Sequence, residues 1–329
     1  MNIHGELRLP QLADDLERFE AVLLSSVEIG DDYLDSITTH LINAGGKRIR
    51  PVLSTAAATG GQRPATNDEL LGGVALELMH LASLYHDDVM DEADIRRNVS
   101  SVNARFGNMV AIVAGDYLMA RSAAIAADLG VEIASLLAHT LAWLTRGQVS
   151  EVRTAFQTSR SEADYYEAIE GKTASLMASS ARVGAVVAKR PANEVDALTT
   201  YGRCFGMIFQ LRDDILDMTA VDGQLGKPAG QDLAEGIYTL PAIRAMADPV
   251  VGDQVRALLG RPLNDDEREA ARQAVVATDG LAYTMSAAQA FYAEANEALA
   301  QLSDSDLRDS LSRLMTALLE DLPLVEPRL

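Results

Sequence analysis

At 329 residues, 48% hydrophobic and 23% charged, the chain has an ordinary globular composition and enough length to bury a large core. Its 28 basic residues against 48 acidic ones leave a net charge of −20, which excludes nucleic acid as a partner, since a phosphate backbone needs a basic surface. The single cysteine, Cys204, permits no intrachain disulfide and lies among Tyr201, Phe205 and Met207, where a buried core thiol in a reducing compartment is expected.

The chain start, Met1-Asn2-Ile3-His4-Gly5-Glu6, has neither the basic nor the apolar region of a signal peptide. No stretch approaches the roughly 18 apolar residues that a membrane helix needs, so a cytoplasmic protein is expected. A greasy substrate or product could still bring it transiently to a membrane. Leu16, Phe19, Leu23 and Val27 recur at helical spacing, as do Tyr33, Leu34, Ile37 and Leu41 beyond Gly30. Gly45-Gly46 stops that second helix, and Pro51 is placed to open the next, which runs to Gly60-Gly61. Thr66-Asn67-Asp68-Glu69 offers a cap and an acidic first turn, after which Leu71, Val74, Leu78, Leu81, Tyr85 and Val89 trace one apolar stripe. From 108 to 149 the sequence reads as almost continuous helix, broken near Leu129-Gly130. A helix pair over 162–189 has Gly171-Lys172-Thr173 in its middle, 193–217 is a further helix, and 222–236 is a glycine-containing loop. From Tyr238 onward the pattern is helical again apart from turns such as Gly260-Arg261-Pro262. No run alternates with period two and no hairpin signal stands out, which predicts an all-α fold of about ten or more helices in one domain, 1–329.

Two acidic motifs punctuate these helices. Asp87-Asp88-Val89-Met90-Asp91 ends the apolar stripe, and Asp213-Asp214-Ile215-Leu216-Asp217 repeats its spacing far downstream. Helical geometry puts His80, Asp87 and Asp91 on one face, and Gln210, Asp214 and Asp217 on another with Asp213 beside them. Carboxylates crowded at the end of an apolar helix raise one another's pKa unless a cation holds them, and hard oxygen ligands suit magnesium. Magnesium keeps substrate phosphates in its shell, so two such clusters imply a phosphorylated substrate clamped between them. Lys47 and Arg50 at the glycine turn, Arg96 and Arg97 behind the first cluster, Lys172, and Lys227 in the loop could together grip a diphosphate. Taken singly, each cation reads as a solvated charge and His80 as a core histidine; the pairing of the two clusters favours a site.

With these pieces in place the chain resembles the trans-polyprenyl diphosphate synthases, an isoprenoid family. The resemblance rests on Gly45-Gly46-Lys47-Arg48-Ile49-Arg50-Pro51, residues 77–97, Gly115-Asp116-Tyr117-Leu118, Gly171-Lys172-Thr173-Ala174-Ser175, residues 209–217 and residues 226–241, in the family's order. It implies the isoprenoid synthase fold, a large helical bundle with a central prenyl-chain cavity. It also implies a magnesium-dependent prenyltransferase that joins isopentenyl diphosphate head-to-tail to an allylic diphosphate, acting as a homodimer. By the same resemblance Lys47, Arg50, His80 and Arg97 bind the diphosphate of isopentenyl diphosphate. Asp87, Asp88, Asp91, Asp213, Asp214 and Asp217 hold three magnesium ions against the allylic diphosphate. Arg96, Lys172 and Lys227 touch that diphosphate, Thr173 and Gln210 line the reacting centre, and 222–236 is a candidate lid.

Three positions depart from the family pattern. Ile237 stands where a lysine is frequent, Asn98 follows the arginine pair where glycine is common, and the basic C-terminal ending of some relatives is replaced by residues 322–327. In the family, bulky rings four and five residues before the first aspartate close the product tunnel. Here those positions are Ser83 and Ala82, which predicts a long-chain product, beyond geranylgeranyl, passing Met79 and Leu76 and destined for a quinone side chain. Trp143 and Phe156 are candidates for the tunnel floor or for ordinary core packing. Three other readings stand beside this one. They are a farnesyl or geranylgeranyl synthase plugged deeper in the tunnel, a terpene cyclase, which the second aspartate cluster argues against, and a non-catalytic regulatory subunit of a synthase.

Overall fold

Capping chemistry sets many of the helix boundaries. In the computed structural model, which describes residues 3–219, 228–320 and 322, the chain opens with α1 (Ile3–Leu7), α2 (Leu12–Ser25), α3 (Asp32–Thr38) and α4 (His40–Asn43). The expected helix over 33–41 is thus two short pieces that meet at Thr39, whose hydroxyl donates back to the Asp35 carbonyl at 2.6 Å. Next come α5 (Ile49–Thr59), closed by Gly60 at φ +60°, and α6 (Asn67–Met90). At the start of α6 the Thr66 hydroxyl accepts from the Glu69 N–H while Glu69 accepts from the Thr66 N–H, a reciprocal cap.

After α6 a two-residue hairpin interrupts the helical expectation. β1 (Ile95–Arg96) pairs antiparallel with β2 (Val99–Ser100) across a turn in which Arg97 and Asn98 both take positive φ, +53° and +64°. Strands of two residues are too short for periodicity to reveal, and asparagine accepts the left-handed region nearly as readily as the glycine it replaces.

The chain continues through α7 (Val102–Phe106), α8 (Asn108–Leu129), α9 (Val131–Thr154) and α10 (Glu162–Ile169). A π-helical turn, Glu170–Ala174, leads directly into α11 (Ser175–Val187), followed by α12 (Ala192–Thr219). The closing elements are α13 (Gln231–Ala234), α14 (Leu240–Met246), α15 (Gly252–Leu258), α16 (Asp265–Val276), α17 (Gly280–Leu299) and α18 (Ser305–Glu320). The described end of the expected 222–236 loop is therefore partly helical. Lys227 and the rest of 222–227 lie outside the described residues, as do 323–327.

Two hydrophobic cores build the bundle. One gathers α6 with α8 and α9 around Val74, Leu78, Leu81, Tyr85 and Leu118. The other gathers α5, α11, α12, α17 and α18 around Leu53, Phe205, Ile208 and Leu314. Cys204 sits in the second core, and burial pushes its thiol up to about 12, so it is an inert core thiol as expected.

Two expectations need correction. The helix α8 is long and apolar enough, by length and composition, to cross a membrane. Looking for an uninterrupted apolar run missed it because three charges are diluted among its alanines, valines and methionines. It leaves Met109 and Val113 exposed, and α9 exposes Val131, Val149 and Val152. Trp143, on α9, is 51% exposed, so it is neither a tunnel floor nor a core side chain. Phe156 is half-buried with its ring against Gly236, at the edge of the site described next.

Candidate active site

The first aspartate motif occupies the C-terminal end of α6. Asp87 is half-buried; burial raises its carboxyl above the usual range, Lys172 pulls it back, and Asp91 pushes it up again. Asp88 is fully buried. Its Oδ1 accepts from Arg96 Nε at 2.7 Å, with Nη2 at the same distance, while Oδ2 is buried with no hydrogen bond. Asp91 is exposed at the end of the helix. Arg96 therefore faces Asp88.

The second motif lies in the last turns of α12. Asp214 is buried, its Oδ2 accepting from the Tyr165 hydroxyl at 2.5 Å and its Oδ1 from Gln210 Nε2 at 3.0 Å. Burial first, then Asp232 and Asp213, push its carboxyl up to about 8, against the opposing pull of the two donors. Asp213 pairs with Arg212 at 3.3 Å, and the Asp217 carboxylate accepts the Asp232 N–H at 3.4 Å. Thr173 Oγ1 donates to Gln210 Oε1 at 3.1 Å, so the two residues expected at the reacting centre do meet.

Around the glycine turn the cations converge. Burial pushes Arg50 down to about 10, with Arg97 adding to the effect, and the Arg50 Nε is buried without a hydrogen bond. His80 is held well below its usual value by burial and by the guanidinium groups of Arg50, Arg97 and Arg96. Arg97 donates to the carbonyls of Leu41, at 2.9 Å, and Gly45. Lys47 is exposed, with its ammonium 5.6 Å from the Phe209 ring centroid. Arg48, given no role by the sequence reading, fastens the turn by donating to Glu20 Oε2 at 2.9 Å, Glu77 Oε1 at 3.2 Å and the Ile42 carbonyl at 3.0 Å.

Lys172 connects the two motifs. It lies on the π-helical turn, a feature frequent at functional sites because the extra residue re-aims side chains. Its ammonium acts on Asp87 and pairs with Glu151 of α9 at 2.6 Å. Close approach of α9 to this turn depends on two glycines: a Cβ on Gly147 would meet Lys172 N at 2.6 Å, and one on Gly171 would meet the Trp143 carbonyl at 2.6 Å. A cavity of about 180 Å³ opens beside it, with Lys172, Thr173, Gln210, Asp214 and Glu151 in its wall. Ile237 lines the same cavity, so the missing family lysine bears directly on this site. Sequence reasoning overlooked Glu151, Tyr165 and Arg160, which also line it. They stand outside the quoted motifs, and no sequence signal marked them.

Among the described residues, no three His, Cys, Asp or Glu side chains converge closely enough to enclose an ion. The donor chemistry nevertheless fits magnesium. The motif side chains offer hard carboxylate oxygens, the Asp88 Oδ2 is buried and unpartnered, and the raised Asp87 and Asp214 carboxyls are the groups a cation would relieve.

A family profile described as polyprenyl synthetase matches residues 31–278. The chain is 36% identical over 300 residues to a nonaprenyl diphosphate synthase of Mycobacterium tuberculosis, covering 91% of this chain and 90% of that protein. It is 40% identical over 271 residues to heptaprenyl diphosphate synthase component 2 of Geobacillus stearothermophilus, covering 82% and 84%. The crystal structure of a decaprenyl diphosphate synthase from Rhodobacter capsulatus superposes with a TM-score of 0.89 at 31% identity, covering 98% of this chain and all of that one.

Proposed function

The chain belongs to the polyprenyl synthetase family, and from that premise we propose that it condenses isopentenyl diphosphate head-to-tail with an allylic diphosphate to give an all-trans, long-chain polyprenyl diphosphate. The observation that carries the reading is the position of Lys172, whose ammonium acts on Asp87 of the first motif and lines one cavity with Asp214 of the second. Lys172 thereby joins Asp87 of the first motif to a cavity that Asp214 of the second motif lines.

The residues divide the work. Arg50, His80 and Arg97, with Lys47 at the rim, bind the diphosphate of isopentenyl diphosphate, and the depressed His80 is neutral near pH 7 and available as a hydrogen-bonding group. Asp87, Asp88, Asp91, Asp213, Asp214 and Asp217 would hold magnesium, three ions in this reading. Bound magnesium supplies Lewis-acid neutralisation of the charge that grows on the departing diphosphate. Lys172 adds fixed positive charge where that leaving group develops, and Thr173 and Gln210 form a polar rim beside the allylic carbon. As the allylic C–O bond breaks, the double bond of isopentenyl diphosphate attacks the allylic carbon and forms the new C–C bond. The proton then lost goes to the released diphosphate, so no dedicated side-chain base is needed.

Product length follows from α6. Ala82 and Ser83 are buried one turn below Asp87, and neither carries a ring that would close a passage along the helix. The product is accordingly longer than geranylgeranyl and suits a quinone side chain. The chain works as one catalytic domain in the cytoplasm, contacting a membrane transiently when it releases product. It pairs as a homodimer, a reading supported by the exposed apolar side chains of α8 and α9. A partner-subunit reading also has one observation behind it, since a 40% identical relative is named as a component of a synthase. Incubating the purified chain alone with magnesium, isopentenyl diphosphate and a set of allylic primers, then weighing the products, tests the proposal. Long all-trans products support it. No consumption of isopentenyl diphosphate, together with activation of a second subunit, would establish the partner reading instead.

A further inference from the structure

We propose that Arg160 is a substrate-binding residue whose guanidinium grips a phosphoryl oxygen of the allylic diphosphate, at the end of the cavity where Ile237 offers no charge. The inference rests on the reading of this cavity as a diphosphate site. Arg160 is 5% exposed and lies in the cavity wall with Lys172, Gln210 and Ile237. Its Nη1 donates to the Tyr238 carbonyl at 2.9 Å, its guanidinium stands 5.8 Å from the Tyr165 ring centroid, and its Nε is buried with no hydrogen bond. The loop that carries it is tied to the Ile237 segment, for the Phe156 N–H donates to the Gly236 carbonyl at 2.9 Å.

A buried guanidinium stays charged and is costly unless something negative faces it. No carboxylate pairs with Arg160 among the described residues. Three carboxylates share its wall, and each has another partner: Glu151 pairs with Lys172, Asp214 accepts from Tyr165 and Gln210, and Asp232 lies beside Asp217. An unpartnered Nε in a wall shared with Lys172 therefore selects an anionic ligand, and arginine's planar fork suits a phosphoryl group.

Calorimetric titration of the full chain with inorganic pyrophosphate at fixed magnesium tests the assignment. Arg160→Gln should weaken pyrophosphate binding roughly ten- to a hundredfold, the loss expected for one charge-assisted hydrogen bond. The KM for the allylic diphosphate should rise by a similar factor while that for isopentenyl diphosphate stays put. Ile237→Lys should tighten pyrophosphate in the otherwise unaltered chain and restore binding to Arg160→Gln. Unchanged pyrophosphate affinity in Arg160→Gln, or an Ile237→Lys chain that binds no tighter, would overturn the assignment; the latter decides the matter even if Arg160→Gln does not fold. Wild-type chain that binds pyrophosphate but makes no prenyl product would defeat the synthase reading alone, because the binding comparison needs no turnover.

Discussion

The Tyr165 hydroxyl donates to Oδ2 of Asp214 at 2.5 Å, linking α10 to the second aspartate motif across 49 residues of sequence. Gln210 holds the other oxygen, so the carboxyl group is oriented from both sides. Such outer partners fix the direction in which a ligand oxygen points.

Tyr165→Phe removes the hydroxyl and keeps the ring. The expected result is a roughly tenfold rise in the magnesium concentration needed for half-maximal rate, the usual cost of losing an outer-shell partner. Thermal unfolding should shift little, since the ring remains packed. A magnesium titration indistinguishable from wild type would show that Tyr165 does not position Asp214.

Asp214 also predicts a pH signature of the metal-free protein. Its carboxyl is raised from 3.8 to about 8 in the fold, chiefly by burial. Between those values the folded chain retains a proton that the unfolded chain has released, so this group's stabilising contribution is complete below about pH 4 and fades as pH rises towards 8. Urea midpoints in chelator should therefore fall across that window more for wild type than for Asp214→Asn. Parallel curves for the two proteins would rule the shift out.

Gly147→Ala probes the approach of α9 to the Lys172 turn. The added methyl would lie 2.6 Å from Lys172 N and 2.7 Å from the Ala168 carbonyl, both backbone atoms that cannot swing aside. The fold should lose roughly 1–3 kcal/mol by overpacking, and turnover should drop because Lys172 and Glu151 are displaced together. A variant with wild-type stability and rate would mean that the close contact is dispensable.

Ala82→Phe tests product length. Ala82 is fully buried, so the ring should cost roughly 1–3 kcal/mol of stability while blocking passage along α6. Mass analysis should show a shorter prenyl chain with condensation retained. Products of unchanged length from a folded variant would place the passage elsewhere.

Much of the architecture was legible in the sequence because helices are local. The capping box of Thr66 and Glu69, the stop at Gly60 and the break at Gly130 follow from residues within a few positions of one another. The hairpin at Ile95–Arg96 and Val99–Ser100 escaped because two residues cannot display a period. The membrane-length character of α8 escaped because it is a property of an average, with charges spread through an apolar helix.

By itself, then, the sequence determined the helical class, the two aspartate motifs and the small residues at Ala82 and Ser83, since spacing along one helix decides which side chains share a face. Tertiary structure alone decided what those side chains meet. It turned Arg96 onto Asp88, set Glu151 beside Lys172, placed Tyr165 under Asp214 and brought Arg160 into the wall with Ile237. Each of these except the first joins residues more than twenty positions apart, and the first joins two separate elements. Burial then makes the pairings matter, because a charge withdrawn from water must find its partner wherever the fold has put one.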